Sequence, residues 1–526
     1  MDKGSAFEMS SRLGRNSFWL TAQTAITGLC GLIVSMALAR MLGPEEYGRY
    51  SYVIWLMGVI VLIASYGLPS AMTRYIADCY TVDSVAAKSI FGGILRAGAL
   101  IALAVALVFS ASAAYPDLRL QRLIIALIAL QIVPMVMGRL YSSAAAGIQK
   151  YELNARIALV TNPLQAVLLI LAVGQGYALT GILTVLLAVN IIQWIMSVFL
   201  LRPFFRFQRS GASIPLAPEL KQRIRSFAFT VFLLAILDAV VWQKSEILFL
   251  ERFSTLKEIS FYSLAFTLTY MMMQIPAGCS NVLFPAFSEL FGHSETGKLR
   301  KGYAAATKIL ALLTVPIGLA GMVAAPAIIG LLYGPEYASS ARLLQMLLIA
   351  GMVTTFNRPV SSILYSTERQ SIILRVSIAL AIVNIILDVS LIPFFGAMGA
   401  VWANNIAQMT GVAVGLYYLK KYLAYTYPAR AIVRIFICAI ASAALVYILL
   451  RIAPFHPAFV LAIVSITYPL FYILFLKRIM IWEPVDATLF LGLLDRLPAR
   501  LQTMGRFVCA AAGLDLDEKG SAAPKA

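Results

Sequence analysis

Seven charged side chains fall inside long apolar stretches of this sequence. A charge at the centre of a bilayer costs about 3 kcal/mol or more, so each is a functional candidate. The basic ones are Arg96, Arg139, Lys244 and Arg358, and the acidic ones are Asp238, Glu246 and Asp388. Basic groups within a membrane segment can replace the water around a phosphate, and carboxylates can carry a proton or cation. The chemistry indicated is the binding and movement of an anion.

The elements that must hold these charges are long apolar runs, each able to cross a bilayer as a helix. Hydrophobic residues make up 61% of the 526 positions and charged residues 13%, whereas soluble domains are about half apolar and a quarter charged. The fourteen runs cover roughly 17–39, 50–70, 89–113, 123–143, 157–173, 180–201, 227–249, 261–285, 305–332, 343–364, 372–394, 398–419, 431–450 and 457–476. We predict an all-α polytopic membrane protein with about fourteen transmembrane helices.

The distribution of Lys and Arg fixes the expected orientation. With the N-terminus in the cytoplasm, cytoplasmic segments carry 30 of the 42 basic residues and periplasmic segments carry 8. This asymmetry predicts that both termini are cytoplasmic in a multi-pass protein of the cell inner membrane. The formal charge of +18 is then explained by loops facing anionic lipids, so no nucleic-acid partner is expected.

Depth in the membrane separates the charged candidates. At about 1.5 Å per residue, Arg96, Arg139 and Arg358 lie about 6–10 Å from their cytoplasmic helix ends, where they can bind substrate or extend to the interface. Asp238 lies near the middle of the seventh run and is a candidate for ion coupling. Lys244 is a further substrate-binding candidate. Asp388 is a second coupling candidate, for which a structural partner such as Lys244 is the alternative.

Metal and nucleophile chemistry find little support in the sequence. The five cysteines and two histidines are scattered without the spacing of a metal or redox site. The segment 292–299 matches G-x-x-x-x-G-K, but Leu299 replaces the Ser or Thr that would hold Mg²⁺. No cofactor or metal is expected, which favours a secondary transporter.

An internal repeat relates the two halves of the chain. Adding 212 to the residue number places 38–51 over 250–263 without a gap, with Arg40 on Arg252 and Glu46 on Glu258. Both glutamates are therefore predicted to lie at helix starts. Helices 1–6 and 7–12 would form two six-helix lobes related by an axis along the membrane normal, because six crossings return the chain to the same face. Helices 13 and 14 are an addition to the repeat.

Three segments resemble a known family: ARMLGPEEYGRYSYVIW (39–55), LLYGPEYASSARLLQML (331–347) and NIILDVSLIPFFGAMGAVWAN (384–404). They are similar to the oligosaccharide flippases of the multidrug/oligosaccharidyl-lipid/polysaccharide exporter superfamily. The resemblance implies two lobes around a central cavity and the outward movement of a polyprenyl-diphosphate-linked oligosaccharide for surface polysaccharide synthesis. The sequence also departs from related lipid II flippases, because residues 17–39 contain none of the basic residues that these place in the first span.

The resulting domain prediction has five parts: an N-lobe (1–201), a cytoplasmic linker (202–226), a C-lobe (227–419), helices 13 and 14 (420–476), and a cytoplasmic amphipathic segment with a disordered tail (477–526). The expected partners are the lipid-linked oligosaccharide, membrane lipids and polysaccharide-assembly proteins, with the chain itself a monomer. Two alternative functions stay open. One is a multidrug cation antiporter of the same superfamily, and the second is a membrane polysaccharide polymerase or glycosyltransferase.

Overall fold

The computed structural model of the chain describes residues 3–80, 83–112, 121–204, 218–280, 283–292, 296–367, 369–423, 427–452, 456–479, 502, 503, 506 and 510. Every regular element in these ranges is helical, which confirms the all-α prediction. Most of the linker predicted over 202–226 and nearly all of the segment beyond Ile479 lie outside the described residues.

The chain divides into two compact units, Met1–Glu251 and Arg252–Ala526. The helices of the first unit are α1 (Lys3–Ser65), α2 (Leu68–Cys79), α3 (Ser84–Ala111), α4 (Arg122–Gly147), α5 (Tyr151–Gly174), α6 (Leu179–Leu201) and α7 (Pro218–Trp242). Helix α8 (Glu246–Phe253) includes the boundary between the units. The helices of the second unit are α9 (Leu256–Ser280), α10 (Leu283–Gly292), α11 (Thr296–Leu332), α12 (Ala338–Thr355), α13 (Asn357–Ser366), α14 (Gln370–Leu423), α15 (Ala429–Arg451) and α16 (Pro457–Ile479).

Fourteen helical crossings can be assigned within the described residues. Ten helical segments are long and apolar enough to span a bilayer. Two of these, Phe18–Ser65 and Ser371–Lys421, are 48 and 51 residues long and can each cross twice, since one crossing needs about 20 residues. Helices α7 and α9, of 25 residues each, supply the remaining two. The prediction of about fourteen transmembrane helices is confirmed.

Glycines divide the two longest helices. α1 bends at Gly43 (φ 74°, ψ 171°) and α14 bends at Gly396 (φ 53°, ψ −133°). Both backbones have positive φ, which glycine adopts without the steric cost that a Cβ would impose. Each bend returns the chain to the bilayer with almost no intervening loop.

Glu258 links two elements of the second unit at the Gly396 bend. Its carboxylate Oε2 accepts hydrogen bonds from the backbone N–H of Ala397, at 2.5 Å, and from Ser254 Oγ, at 2.7 Å. Glu258 lies in the first turn of α9, as predicted from the repeat. A carboxylate is favourable there and at the start of the second half of α14, because helix N-termini leave backbone N–H groups without intrahelical acceptors.

Helix boundaries reproduce the internal repeat with two successive offsets in residue number. α3 begins at Ser84 and α11 at Thr296, which gives an offset of 212. α4 ends at Gly147 and α13 at Ser366, and α5 begins at Tyr151 and α14 at Gln370, so both of these pairs have an offset of 219. We call two residues repeat counterparts when their numbers differ by 212, for first-unit residues up to the end of α3, or by 219, for first-unit residues from α4 onward.

Helix α7 belongs to the first compact unit, although the domain prediction assigned the seventh helix to the C-lobe. It packs close to α2, because a Cβ on Gly67 would collide with the carbonyl oxygen of Ala228. The ring of Tyr66 stacks on that of Phe232 with centroids 5.0 Å apart. Aromatic packing and a glycine contact therefore attach α7 to this unit.

Candidate functional site

Arg139 is an exposed residue on α4, the most buried membrane-length helix of the first unit. α4 packs against α1, α2, α3, α5 and α6. Between Gln131 and Gly147 every residue of α4 is buried or half-buried except Arg139, which is exposed. Arg139 makes no hydrogen bond or ion pair within the described residues. Its guanidinium is therefore available to an external anion.

Arg96 lies at the same level as Arg139 on the neighbouring antiparallel helix. A Cβ on Gly98 of α3 would collide with Leu140 Cδ1, so the missing side chain lets α3 approach α4. The ring of Phe91, five residues before Arg96, and that of Tyr141, two residues after Arg139, meet edge-on with centroids 5.5 Å apart. These two contacts align Arg96 with the turn that contains Arg139. Arg96 is also exposed and lacks a polar partner within the described residues.

Arg358 projects from the short helix α13 in the second unit. It is exposed, whereas Pro359, Val360, Ile363 and Leu364 on the same helix are buried. The three predicted arginines are therefore all accessible.

The seventh run is not the single helix that the sequence predicted. The sequence predicted one helix over 227–249, with Asp238 near the middle. Instead α7 ends at Trp242, the residues 243–245 are not helical, and Glu246 begins α8. Asp238 consequently lies one turn before a helix end.

Polar side chains explain this break, because their hydrogen bonds compete with those of a helix. Ser245 Oγ donates to the carbonyl of Val240 at 2.8 Å, and Ser245 N donates to the carbonyl of Gln243 at 2.9 Å. Gln243 Nε2 donates to Asp238 Oδ2 at 3.2 Å. Asp238 is exposed and Lys244 is half-buried in this polar segment.

Asp388 is fully buried in the first half of α14. Asn384, one turn earlier and also buried, donates from Nδ2 to Asp388 Oδ2 at 3.1 Å. A buried amide bonded to a carboxylate forms part of a polar core, and such groups stabilise a membrane helix bundle when their hydrogen bonds are satisfied. The geometry gives Asp388 a structural contact and leaves its predicted coupling role a proposal.

Lys308 on α11 was missed by the sequence interpretation, which counted it with the cytoplasmic residues Lys298, Arg300 and Lys301. In the structure its side chain is only 5% exposed. A signal was available, because Lys308 is the repeat counterpart of Arg96 at the offset of 212. The offset of 219 relates Arg139 to Arg358 in the same way.

Comparison with known families identifies the chain. The sequence pattern of the polysaccharide biosynthesis protein family matches residues 13–291, which is more than half of the chain. The chain belongs to this family. A second pattern, that of the MatE family, matches residues 228–390. The predicted membership in the flippases of the multidrug/oligosaccharidyl-lipid/polysaccharide exporter superfamily is confirmed.

This chain is also similar to a curated relative, the probable flippase AglR of Haloferax volcanii. The two are 27% identical over 199 residues, which is 37% of this chain and 42% of the relative. The chain thus spans less than half the length of that relative in the matched region.

Two solved structures share the fold. The lipid II flippase MurJ in an inward closed conformation has a TM-score of 0.68 and 14% identity, covering 88% of this chain and 100% of the solved one. An inward-facing multidrug resistance MATE family transporter has a TM-score of 0.61 and 14% identity, covering 77% and 98%. The chain is a multi-pass membrane protein with the fold of flippase-like transporters.

Proposed function

We propose that this protein moves a polyprenyl-diphosphate-linked oligosaccharide from the cytoplasmic to the periplasmic leaflet of the inner membrane, for surface polysaccharide synthesis. Transport would proceed by alternating access. Both termini would be cytoplasmic, as the 30 to 8 distribution of basic residues favours. The matches to a polysaccharide biosynthesis family and to a probable flippase support this class of substrate.

The observation that carries the proposal is the pair Arg96 and Arg139. Both are exposed within membrane-length helices, lie at one level, and lack acidic partners within the described residues. Holding an unpaired charge at that depth is costly, so a bound anion is the expected compensation. A diphosphate linking lipid to sugar carries two negative charges, which two guanidinium groups can neutralise with charge-assisted hydrogen bonds.

The proposed mechanism assigns different environments to the parts of the substrate. The sugars would cross among polar side chains and water, while the polyprenyl tail would remain in hydrocarbon. Without basic side chains, moving the diphosphate through hydrocarbon would require loss of its hydration, which is prohibitive for an ion. Asp238 and Asp388 are the proposed coupling groups, since carboxylates in membrane segments commonly bind protons or cations.

The test is transport of a polyprenyl-diphosphate-linked sugar across liposomes containing the purified protein. We expect R96A and R139A to lose most of the transport, and R96K and R139K to lose part of it, because lysine retains charge without the bidentate geometry. R451A is the matched control: Arg451 is an exposed arginine at a helix end, bonded to Tyr447 and lacking a repeat counterpart. Normal transport by R96A and R139A would reject this site.

A second candidate function is multidrug cation antiport. It is favoured by the MatE match over residues 228–390, a range that includes both Asp238 and Asp388. Export of a cationic dye from the same liposomes, lost in D238N or D388N and unaffected in R96A, would support the antiporter instead.

A further inference from the structure

We propose that each compact unit holds its own binding site for a diphosphate, so that one chain has two such sites. Arg96 and Arg139 form the site of the first unit, and Lys308 and Arg358 form that of the second. This inference rests on the proposed function and adds Lys308, the number of sites and their composition.

Basic residues recur at counterpart positions of the internal repeat far more often than chance predicts. Eleven Lys and Arg residues lie between 40 and 202, and seven have a basic repeat counterpart. Only 12 of residues 252–421 are basic, so chance predicts roughly one such pair. The seven pairs are Arg40 and Arg252, Lys88 and Arg300, Arg96 and Lys308, Arg139 and Arg358, Lys150 and Arg369, Arg156 and Arg375, and Arg202 and Lys421.

Two of these pairs lie at least eight residues from the ends of membrane-length helices, where a positive charge is costly. They are Arg96 with Lys308, and Arg139 with Arg358. Retention at these depths in both halves points to a shared function, because a charge needed only for orientation belongs at the helix ends. Lys244 has Leu32 as its counterpart at the offset of 212, so it is outside this pattern.

Packing in the second unit also brings its two basic residues to a similar level. A Cβ on Gly318 of α11 would collide with Met352 of α12, and one on Gly321 would lie 3.0 Å from Leu348. The two helices therefore run antiparallel. Continued through α13, this register places Lys308 about one helical turn, or ~6 Å along the axis, from Arg358.

The two basic residues of each proposed site match the charge of the proposed ligand. A diphosphate that links a lipid to a sugar has two ionised oxygens, and each unit contributes two basic side chains from these two repeat pairs. One unit alone can thus neutralise the ligand. The desolvated surroundings of Lys308 would strengthen its attraction to a phosphate, since charges interact more strongly at low dielectric.

Access to the two sites differs in this structure. Arg96 and Arg139 are both exposed, whereas Lys308 is 5% exposed beside an exposed Arg358. α11 is also covered by α15 and α16, which have no counterparts in the first unit. The first site is therefore open to a ligand and the second is partly enclosed, so the two should bind with unequal affinity.

Native mass spectrometry of the purified full chain can count the bound molecules. The probe is a short-chain polyprenyl diphosphate carrying one sugar, with the corresponding monophosphate for comparison. We expect wild type to bind two molecules, and R96M/R139M and K308M/R358M to bind one each. The remaining site should change in affinity by less than about threefold, as expected for separated positions. R451M should bind two.

The outcomes separate the inference from the proposed function. No binding of the diphosphate by wild type would reject the proposed function and the inference with it. Binding of one molecule by wild type, or loss of all binding in either double variant, would show one shared site and overturn only the inference. If K308M/R358M does not fold, K308R/R358K provides the same test: it should retain two molecules and weaken just one of them.

Discussion

Two prolines in α11 each leave a backbone carbonyl without its helical donor, and a neighbouring helix supplies a replacement. Pro316 lacks the N–H that would bond to Leu312 O, and Pro326 likewise leaves Met322 O. Tyr472 of α16 donates its hydroxyl to Leu312 O at 3.3 Å. Gln345 of α12 donates Nε2 to Met322 O at 2.9 Å. These bonds satisfy polar groups that hydrocarbon cannot.

Removing the hydroxyl of Tyr472 should therefore destabilise the protein. We expect Y472F to lose about 0.6 kcal/mol, the typical value of an interhelical hydrogen bond in a membrane. The control is Y468F: Tyr468 donates to Ala439 O at 3.1 Å, but residue 443 is alanine and supplies that carbonyl with its own helical donor. Thermal unfolding in detergent should show a larger loss for Y472F. Equal losses would contradict this account.

Individual charges could be predicted from the sequence where their depth was clear. Arg96, Arg139 and Arg358 were found because they interrupt apolar runs well inside their limits. Lys308 was missed because it lies near the start of a run that follows several basic residues. Its burial depends on packing by helices distant in sequence, which local composition does not encode.

At the level of elements, the Gly396 bend is held by a contact that the corresponding turn of the first unit lacks. A Cβ on Gly396 would collide with Glu258 Oε2, whereas a Cβ on Gly176, in that corresponding turn, would meet no atom within 4 Å. In the first unit Glu46 instead pairs with Arg49 at 3.0 Å. The two turns thus share a positive φ and differ in their attachment.

This difference predicts unequal effects of the same substitution. G176A should cost about 1–2 kcal/mol from its positive φ alone. G396A should cost more, because the new methyl group displaces the Glu258 carboxylate from Ala397 N. Combining G396A with E258A should cost less than the sum of the single changes, since both remove one contact. Thermal unfolding of wild type, G396A, E258A and the double variant provides the cycle. Strict additivity of the two changes would argue against the contact between Glu258 and the Gly396 bend.

The sequence predicted most helices but could not predict where one of them breaks. The bends at Gly43 and Gly396 each coincide with a gap between two predicted runs. The break at 243–245 lies within a run that is long enough for one helix. It depends on hydrogen bonds of Gln243 and Ser245 that form only in the folded chain.

At the scale of the whole molecule, the predicted orientation can be tested through Cys79 at the end of α2. Burial raises the pKa of this thiol, and Asp78 and Asp83 raise it further. In a variant with Cys79 as the single cysteine, a membrane-impermeant maleimide should label inverted vesicles and leave intact cells unlabelled. Labelling should be slow at neutral pH and accelerate as the pH rises, because the thiolate reacts. Labelling of intact cells would reverse the orientation.

The unequal lengths of α3 and α11 have a consequence for the lipid bilayer itself. The two helices begin at equivalent positions of the repeat, but α3 has 28 residues and α11 has 37. At about 1.5 Å per residue, α11 is longer by ~13 Å at the end away from its start. These equivalent helices therefore differ in length within one membrane, and a thickness mismatch must be met by tilt or by deformation of the lipids. Transport measured across a series of acyl-chain lengths should pass through an optimum, and shortening α11 beyond Pro326 should move that optimum toward thinner bilayers.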